Sequence, residues 1–420
     1  MIKVYNDISE LKPRNESVSD EIIAAVTEII ADVKFNGDKA VLKYTKEFDK
    51  VDTDEIFMSE TERNNLVKLV PEKLRGIMER AAKNIYEFHK EQKQRSWNLT
   101  LDGKIMGQRV MPLKRVGMYV PGGTAAYPSS VLMGAIPATV AGVDELIMAT
   151  PPKAEGINPA IIYAADLAGV KDIIKIGGAQ AIAALAYGTE SIKRADKIIG
   201  PGNAYVATAK RLVYGAVDID SMAGPSDILI IADETANPKF IAADLLSQAE
   251  HDPMASSVLI TTSAKIAEQV QAEIARQTAN LSRIEIASKS IAENGAIIMV
   301  ESIEKAIELS DAIAPEHLEL AVADPFDLLG KIRNAGSIFL GEYSPEPLGD
   351  YYAGPNHILP TNGTARFSSA LSVDSFMKKS SYLYYNKKSL LSAKDDVMLF
   401  AESEGLDAHA NSIKVRFENE

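Results

Sequence analysis

From residue 116 onward one pattern repeats. A short apolar run closes on glycine, proline or aspartate, and an alanine-rich helical stretch separates it from the next run. The first runs are Val116–Val120, Glu145–Ala149, Asp172–Ile176, Lys197–Ile199 and Asp227–Ile231. A looser series follows at Ser257–Thr261, Ala296–Val300, His317–Val322 and Ser337–Leu340. Strand-like runs with helical segments between them make βαβ units and a mainly parallel sheet. The pattern predicts an α/β fold with two doubly wound lobes. Ahead of it, Ile22, Ile23, Val26, Ile29, Ile30 and Val33 recur at helical spacing, with Asn36-Gly37 as the expected stop. A second helical run covers roughly Pro71 to Gln92, and the stretch after Ser368 reads as an appended helical segment. No internal repeat or low-complexity tract interrupts the chain.

A chain of 420 residues is too long for one ordinary core, in keeping with two lobes. Hydrophobic residues make up 46% and charged residues 25%, which excludes general disorder outside the acidic tip Glu418–Glu420. The net charge of −13 argues against nucleic acid as a partner, because phosphate binding needs a basic footprint. Lys378–Lys379 and Lys387–Lys388 are isolated pairs that read as solvated faces. With no cysteine, disulfides, thiolate metal sites and cysteine nucleophiles are all removed. The apolar stretch Val131 to Val143 is too short to span a bilayer and contains Pro137. The first residues, Met1 to Asp7, lack the basic and apolar regions of an export signal. The expectation is a cytoplasmic protein with no membrane partner.

Stock motifs do not reveal a cofactor. Gly200-Pro201-Gly202-Asn203-Ala204-Tyr205 lacks the third glycine of the dinucleotide fingerprint, and there is no P-loop, H-E-x-x-H or G-x-S-x-G. The common ATPase, zincin and α/β-hydrolase readings are therefore excluded. Three glycine turns do follow strand-like runs: Pro121-Gly122-Gly123-Thr124, Gly177-Gly178-Ala179-Gln180 and Gly200-Pro201-Gly202-Asn203. Strand-to-helix handovers are the ligand-binding edge of an open α/β sheet, where bare N–H groups favour phosphates. Plain turn chemistry explains any one of them. For three in one lobe, that explanation and a nucleotide-like ligand both stay open.

The five histidines differ in setting. His89 lies among charges on a helical run and reads as solvated. Gln248 and His251 are three apart, so a helix ending before Pro253 would project both from one face as half of a metal site, or simply as a polar cap. Glu316 and His317 are adjacent and can serve one cavity with a carboxylate and an imidazole. The segment Gly349-Asp350-Tyr351-Tyr352-Ala353-Gly354-Pro355-Asn356-His357 reads as a functional loop carrying an acid and an imidazole. His409 lies near the C-terminus, where a lone histidine is usually exposed.

Taken together, these segments resemble one family. Gly117 to Gly123, Gly177 to Ala186, Gly200-Pro201-Gly202-Asn203, Ala223-Gly224-Pro225-Ser226, Leu245 to His251, Pro315-Glu316-His317-Leu318, Gly349-Asp350-Tyr351 and Asn356-His357 look like those of histidinol dehydrogenases. Order and spacing agree from about Val18 to Ser412. The resemblance implies two incomplete Rossmann-like lobes with helical N- and C-terminal segments. It implies Gln248, His251, Asp350 and His409 as zinc ligands that also reach the substrate, Glu316 and His317 as the acid–base pair, and His317 as a substrate contact as well. It further implies Ser226, His357 and Glu404 as substrate contacts, and Tyr119, Gln180 and Asn203 as NAD contacts. The implied organisation is residues 1–118 as an N-terminal helical segment and the start of the first α/β lobe, 119–226 as a second, Rossmann-like lobe with the NAD contacts, 227–371 as the remainder of the first lobe with the metal and catalytic residues, and 372–420 as a dimerisation segment exchanged between subunits of a homodimer. The implied reaction oxidises L-histidinol through L-histidinal to L-histidine with two NAD+, the last step of histidine biosynthesis.

The residues suit that chemistry. A neutral imidazole is the usual base near pH 7, which suits His317. An aldehyde step without a cysteine must use water, which Glu316 can activate. A nitrogen-and-oxygen ligand set suits an exchangeable divalent ion that orients the substrate. The rival readings are another metal-dependent α/β enzyme, or a two-lobed protein that only binds a small ligand.

Overall fold

The computed structural model describes residues 2–5, 7–11, 19–122, 127–221 and 224–418. The glycine turn at Gly123-Thr124 and Ala223 of the Ala223-Gly224-Pro225-Ser226 block lie outside the described residues. The strands, in chain order, are β1 (Lys3–Tyr5), β2 (Trp97–Leu101), β3 (Lys104–Pro112), β4 (Arg115–Tyr119), β5 (Glu145–Ala149), β6 (Asp172–Ile174), β7 (Lys197–Ile199), β8 (Asp218–Ile219), β9 (Asp227–Ala232), β10 (Ser256–Thr261), β11 (Gly295–Met299), β12 (His317–Ala321), β13 (Ser337–Leu340) and β14 (Met377–Tyr385).

Two sheets are wholly parallel, in the orders β6-β5-β4-β7-β8 and β1-β11-β10-β9-β12-β13. Leaving aside the edge strand β1, each winds outward from its first strand in both directions, so each has one switch point: β4/β7 in the first and β9/β12 in the second. Helices cover the faces, and this explains why the strands read as unbroken apolar runs rather than as alternation. Every residue of β9 is buried. One core joins Ile147, Ile174 and Ile198 of the first sheet to Val26, Ile30 and Val41 of the N-terminal helix Asp20–Tyr44. Two more line the faces of the second sheet, Ile228 and Ile230 on one side and Leu229 and Ile231 on the other.

The expected helix stop at Asn36-Gly37 is a kink instead. Gly37 turns to φ 53, and the helix resumes because the Glu190 carboxylate accepts the Asp38 N–H at 2.8 Å. A Cβ on Gly37 would stand 2.1 Å from Glu190 Oε2, so only glycine fits the bend.

The chain forms two compact units, Met1–Gln92 with Leu113–Phe376, and Lys93–Pro112 with Met377–Glu420. The second unit contains an antiparallel sheet, β14-β3-β2, and the helices Lys387–Ser403 and Asp407–Lys414. The helical reading after Ser368 is corrected at β14. That segment pairs along its whole length with β3, from Met377 opposite Pro112 to Tyr385 opposite Lys104. Its aromatic residues suit a pleated surface, and its partner is remote in sequence. Among the described residues, no helix is long and apolar enough to cross a membrane.

Candidate active site

Asp227 opens β9 and Glu316 immediately precedes β12, on either side of the second sheet's switch point. The two are cross-stitched. The Glu316 N–H donates to Asp227 Oδ1 at 2.9 Å, and the Asp227 N–H donates to Glu316 Oε2 at 3.0 Å. The Ser226 hydroxyl also bonds Glu316. Burial, reinforced by the Asp227 charge, holds the Glu316 carboxyl well above the usual carboxylate range.

His317 is buried at the start of β12. Its Nδ1 lies 2.9 Å from the carbonyl oxygen of Asp227. A carbonyl only accepts, so Nδ1 carries the proton and Nε2 presents a lone pair. Burial pushes the His317 pKa down, which keeps the ring neutral. Nε2 has no hydrogen-bond partner, and lies 3.9 Å from Glu346 Oε1 and 4.0 Å from Asp350 Oδ1.

Those two carboxylates stand four apart on the short helix Glu346–Tyr351, one turn above each other. Burial raises both, Glu346 to about 7 and Asp350 to about 6. Ligand atoms of His317, Glu346 and Asp350 lie within 4.8 Å of one another. Gln248, in the last turn of the helix Pro238–Ala249, is fully buried with both amide atoms partnerless. Buried donors left without partners are costly unless something binds them, and this nitrogen-and-oxygen set fits a divalent cation of the zinc type. Asp350 is common to this group and to the expected zinc ligands. His251 follows the helix end and is exposed. His357 donates from Nδ1 to the Asp350 carbonyl at 2.9 Å and meets Ser130 Oγ at 3.2 Å through Nε2. Burial lowers its pKa to about 4.

A second site lies at the carboxyl ends of the other parallel sheet. A cavity of about 920 Å³ is lined by Asp49, Tyr119, Gly122, Pro151, Gly178 and Asn203, among others. Tyr119 ends β4, and its hydroxyl accepts the Gly178 N–H at 3.2 Å. Gly178 begins the helix Gly178–Tyr187, and Asn203 caps the helix Ala204–Val213 by accepting the N–H groups of Tyr205 and Val206, each at 3.1 Å. Gly200, at φ 106, lets this turn press on β4: a Cβ there would stand 2.0 Å from the Tyr119 carbonyl. The ion pair of Lys210 and Asp220 ties the same turn, with Lys210 donating to the Gly200 carbonyl at 2.9 Å. Gln180 is buried with both amide atoms partnerless. Two helix N-termini at one cavity suit a phosphate-bearing nucleotide.

The chain matches the family model described as histidinol dehydrogenase over residues 12–417. The chain belongs to the histidinol dehydrogenase family. It is 58% identical to the histidinol dehydrogenase of Clostridium acetobutylicum over 97% of this chain and 95% of that one. It is 53% identical to that of Lactococcus lactis, over 99% and 97%. The crystal structure of histidinol dehydrogenase from Elizabethkingia anophelis superposes with a TM-score of 0.95 at 41% identity, covering 100% of this chain and 98% of that one. Membership makes the protein an oxidoreductase of histidine biosynthesis.

The first unit thus gathers Ser226, Gln248, His251, Glu316, His317, Asp350 and His357 about the second sheet, and Tyr119, Gln180 and Asn203 about the first. Glu404 and His409 lie in the second unit, exposed, at the cap of one helix and within the next. His89 is not solvated as its charged neighbours suggest. It is fully buried, bonded through Nδ1 to Gln92 Oε1 at 2.7 Å and through Nε2 to Asn356 at 3.3 Å. The sequence reading missed Asp227 and Glu346. An aspartate heading an apolar strand signalled the first, and i, i+4 spacing to Asp350 the second. That spacing was hidden because Gly349 to Tyr351 read as loop.

Proposed function

We propose that the chain oxidises L-histidinol through L-histidinal to L-histidine, using two NAD+ and a zinc ion. The observation that carries this reading is the buried, partnerless Nε2 of His317 facing the carboxylates of Glu346 and Asp350. Glu316 and His317 are the acid–base pair. Gln248, His251, Asp350 and His409 would hold zinc, with Glu346 close by, and that ion when bound would fix the substrate's amine and imidazole nitrogens and polarise its oxygen. NAD+, held against Tyr119, Gln180 and Asn203, would supply the acceptor for the hydride lost in each half-reaction.

The chain's own groups divide the proton work. His317, neutral and fixed in one tautomer, takes the alcohol proton through Nε2. Glu316 takes a proton from the water that adds to the aldehyde; a carboxylate with a raised pKa is the stronger base once ionised. His317, having passed its first proton to solvent between the two steps, then takes the hydroxyl proton of the resulting hydrate at the same Nε2. Ser226 and His357 line the same space and orient the substrate. Glu404 is proposed to receive its cationic groups.

We further propose a homodimer in which His409 and Glu404 of one subunit complete the site of the other. The apolar surface of the second unit supports association: Trp97, Leu99, Leu101, Leu383, Leu399 and Phe400 are all exposed. The test is NADH formation from histidinol before and after chelation. Turnover should vanish on chelation and return with Zn2+. Full activity in rigorously metal-free protein would reject the zinc role.

A further inference from the structure

In a doubly wound sheet the dinucleotide's phosphates lie at helix N-termini. An acid at the carboxyl end of the second strand takes the adenosine ribose hydroxyls. Here the first strand of the sheet is β4 and the second is β5. β5 runs out into Thr150-Pro151-Pro152-Lys153, which offers no acid.

An acid reaches that place from elsewhere in the chain. The helix Asp20–Tyr44 ends in a single π-helical turn, Thr45–Asp49, closed by Lys50 at φ 58. Such turns reposition side chains and recur at functional sites. The Asp49 carboxylate lies beside Pro151: a Cβ built on Gly177 would stand 2.5 Å from Pro151 Cβ and 3.2 Å from Asp49 Oδ1. Both residues line the cavity that holds Tyr119, Gly178 and Asn203.

We infer that Asp49 recognises the adenosine ribose of the dinucleotide, accepting hydrogen bonds from its hydroxyls and so selecting NAD+ over NADP+. This rests on the dinucleotide reading above. Asp49 Oδ2 is buried with no hydrogen-bond partner. Burial alone pushes the carboxyl up to about 6. A half-buried carboxylate whose Oδ2 has no partner gains when donors arrive, and a ribose diol brings two. A 2′-phosphate would instead set a second anion against it, which disfavours NADP+. Two lysines line the same cavity. Lys43 is engaged by Asp32 at 2.7 Å, and Lys153 leaves the end of β5, where a cation would favour a 2′-phosphate.

The test is calorimetric titration of the full chain with NAD+, NADP+ and ADP-ribose, in unaltered, Asp49→Asn, Asp49→Ser and Lys153→Met forms. The unaltered chain should prefer NAD+. Both Asp49 variants should bind NAD+ and ADP-ribose about tenfold more weakly, the worth of a charge-assisted hydrogen bond. NADP+ binding should hold or tighten, so the preference falls by at least that factor. Equal weakening of NAD+ and NADP+, or no change in their ratio, overturns the inference and leaves the dinucleotide reading standing. Loss of NAD+ affinity in Lys153→Met but in neither Asp49 variant would put recognition on the cation, which also overturns it. Failure of the unaltered chain to bind NAD+ would overturn the dinucleotide reading, and the inference with it.

Discussion

The imidazole of His317 is oriented by a backbone carbonyl, that of Asp227, whose own carboxylate is turned to the Glu316 N–H. One residue therefore sets the tautomer of His317 and the position of Glu316. The two neighbours should separate kinetically. His317→Gln should slow oxidation of histidinol and of added histidinal alike, by about a hundredfold or more, since both steps remove a proton. Glu316→Gln should slow histidinal oxidation far more than histidinol oxidation. Equal losses in single-turnover measurements would reject the water-activating role. Asp49 has its own signature in stability. Its folded pKa of about 6 exceeds its ordinary value of 3.8. Below both values the proton is bound folded or unfolded, and the residue is neutral in effect. As pH rises from about 4 to 6 the unfolded chain ionises first, so this group's contribution to stability falls and then stays low. Asp49→Asn should therefore stabilise the ligand-free chain at pH 8 by about 1–2 kcal/mol, discounted for partial exposure, and do nothing at pH 3.5. Thermal unfolding at the two pH values checks this.

Among the elements, the helix Glu72–Lys90 does more than cover a face. Its His89 reaches Asn356, and Asn356 donates in turn to the Met133 carbonyl at 2.7 Å. Gln92 accepts both from His89 and from the Val373 N–H at 3.1 Å. Helix, loop and the chain near Val373 are thus pinned together next to His357. Replacing His89 by alanine removes its bonds to the buried Asn356 and the half-buried Gln92 and empties a fully buried site, and should cost about 2–3 kcal/mol in denaturant unfolding. An exposed helical histidine would change stability by less than about 0.5 kcal/mol. The strands were legible because apolar runs of strand length recur between helices: Glu145–Ala149, Lys197–Ile199 and Ser337–Leu340 coincide with β5, β7 and β13. β14 was not legible. Its lysine, serine and tyrosine content gives no period, and its strand form comes from pairing with β3. Asp102-Gly103, with Gly103 at φ 68, is the turn signal between β2 and β3 that could have exposed that sheet.

For the whole molecule, the proposed exchange of C-terminal segments has a genetic test. Asp350→Ala and His409→Ala should each be inactive as homodimers. If His409 serves the partner's site, a mixed dimer carries one whole site, and random pairing restores about a quarter of all sites. If it serves its own chain, every site in the mixture carries one lesion. NADH formation after co-refolding equal amounts distinguishes the two. No recovery, with mixed dimers present, would reject exchange.

The amino-acid sequence by itself determined the class of this molecule, because apolar runs of strand length alternating with helical segments leave few alternatives to parallel sheets. It also determined the family, because blocks such as Gly177 to Ala186 and Leu245 to His251 carry enough ordered residues to be specific. Only the tertiary structure decided where the chemistry sits. Strand-to-helix glycine turns point to carboxyl ends, and the cavity near Tyr119 obeys them. The proposed proton-transfer pair, Glu316 and His317, instead gathers at the amino ends of β9 and β12, where Asp227 and His317 begin their strands. Burial moved the titration of Glu316 and Asp350 upward and of His317 downward, since desolvation is a property of the packed interior and of no residue alone. Approach in space, from a segment about a hundred residues earlier in the chain than Pro151, decided that Asp49 lines the same cavity as Tyr119 and Asn203.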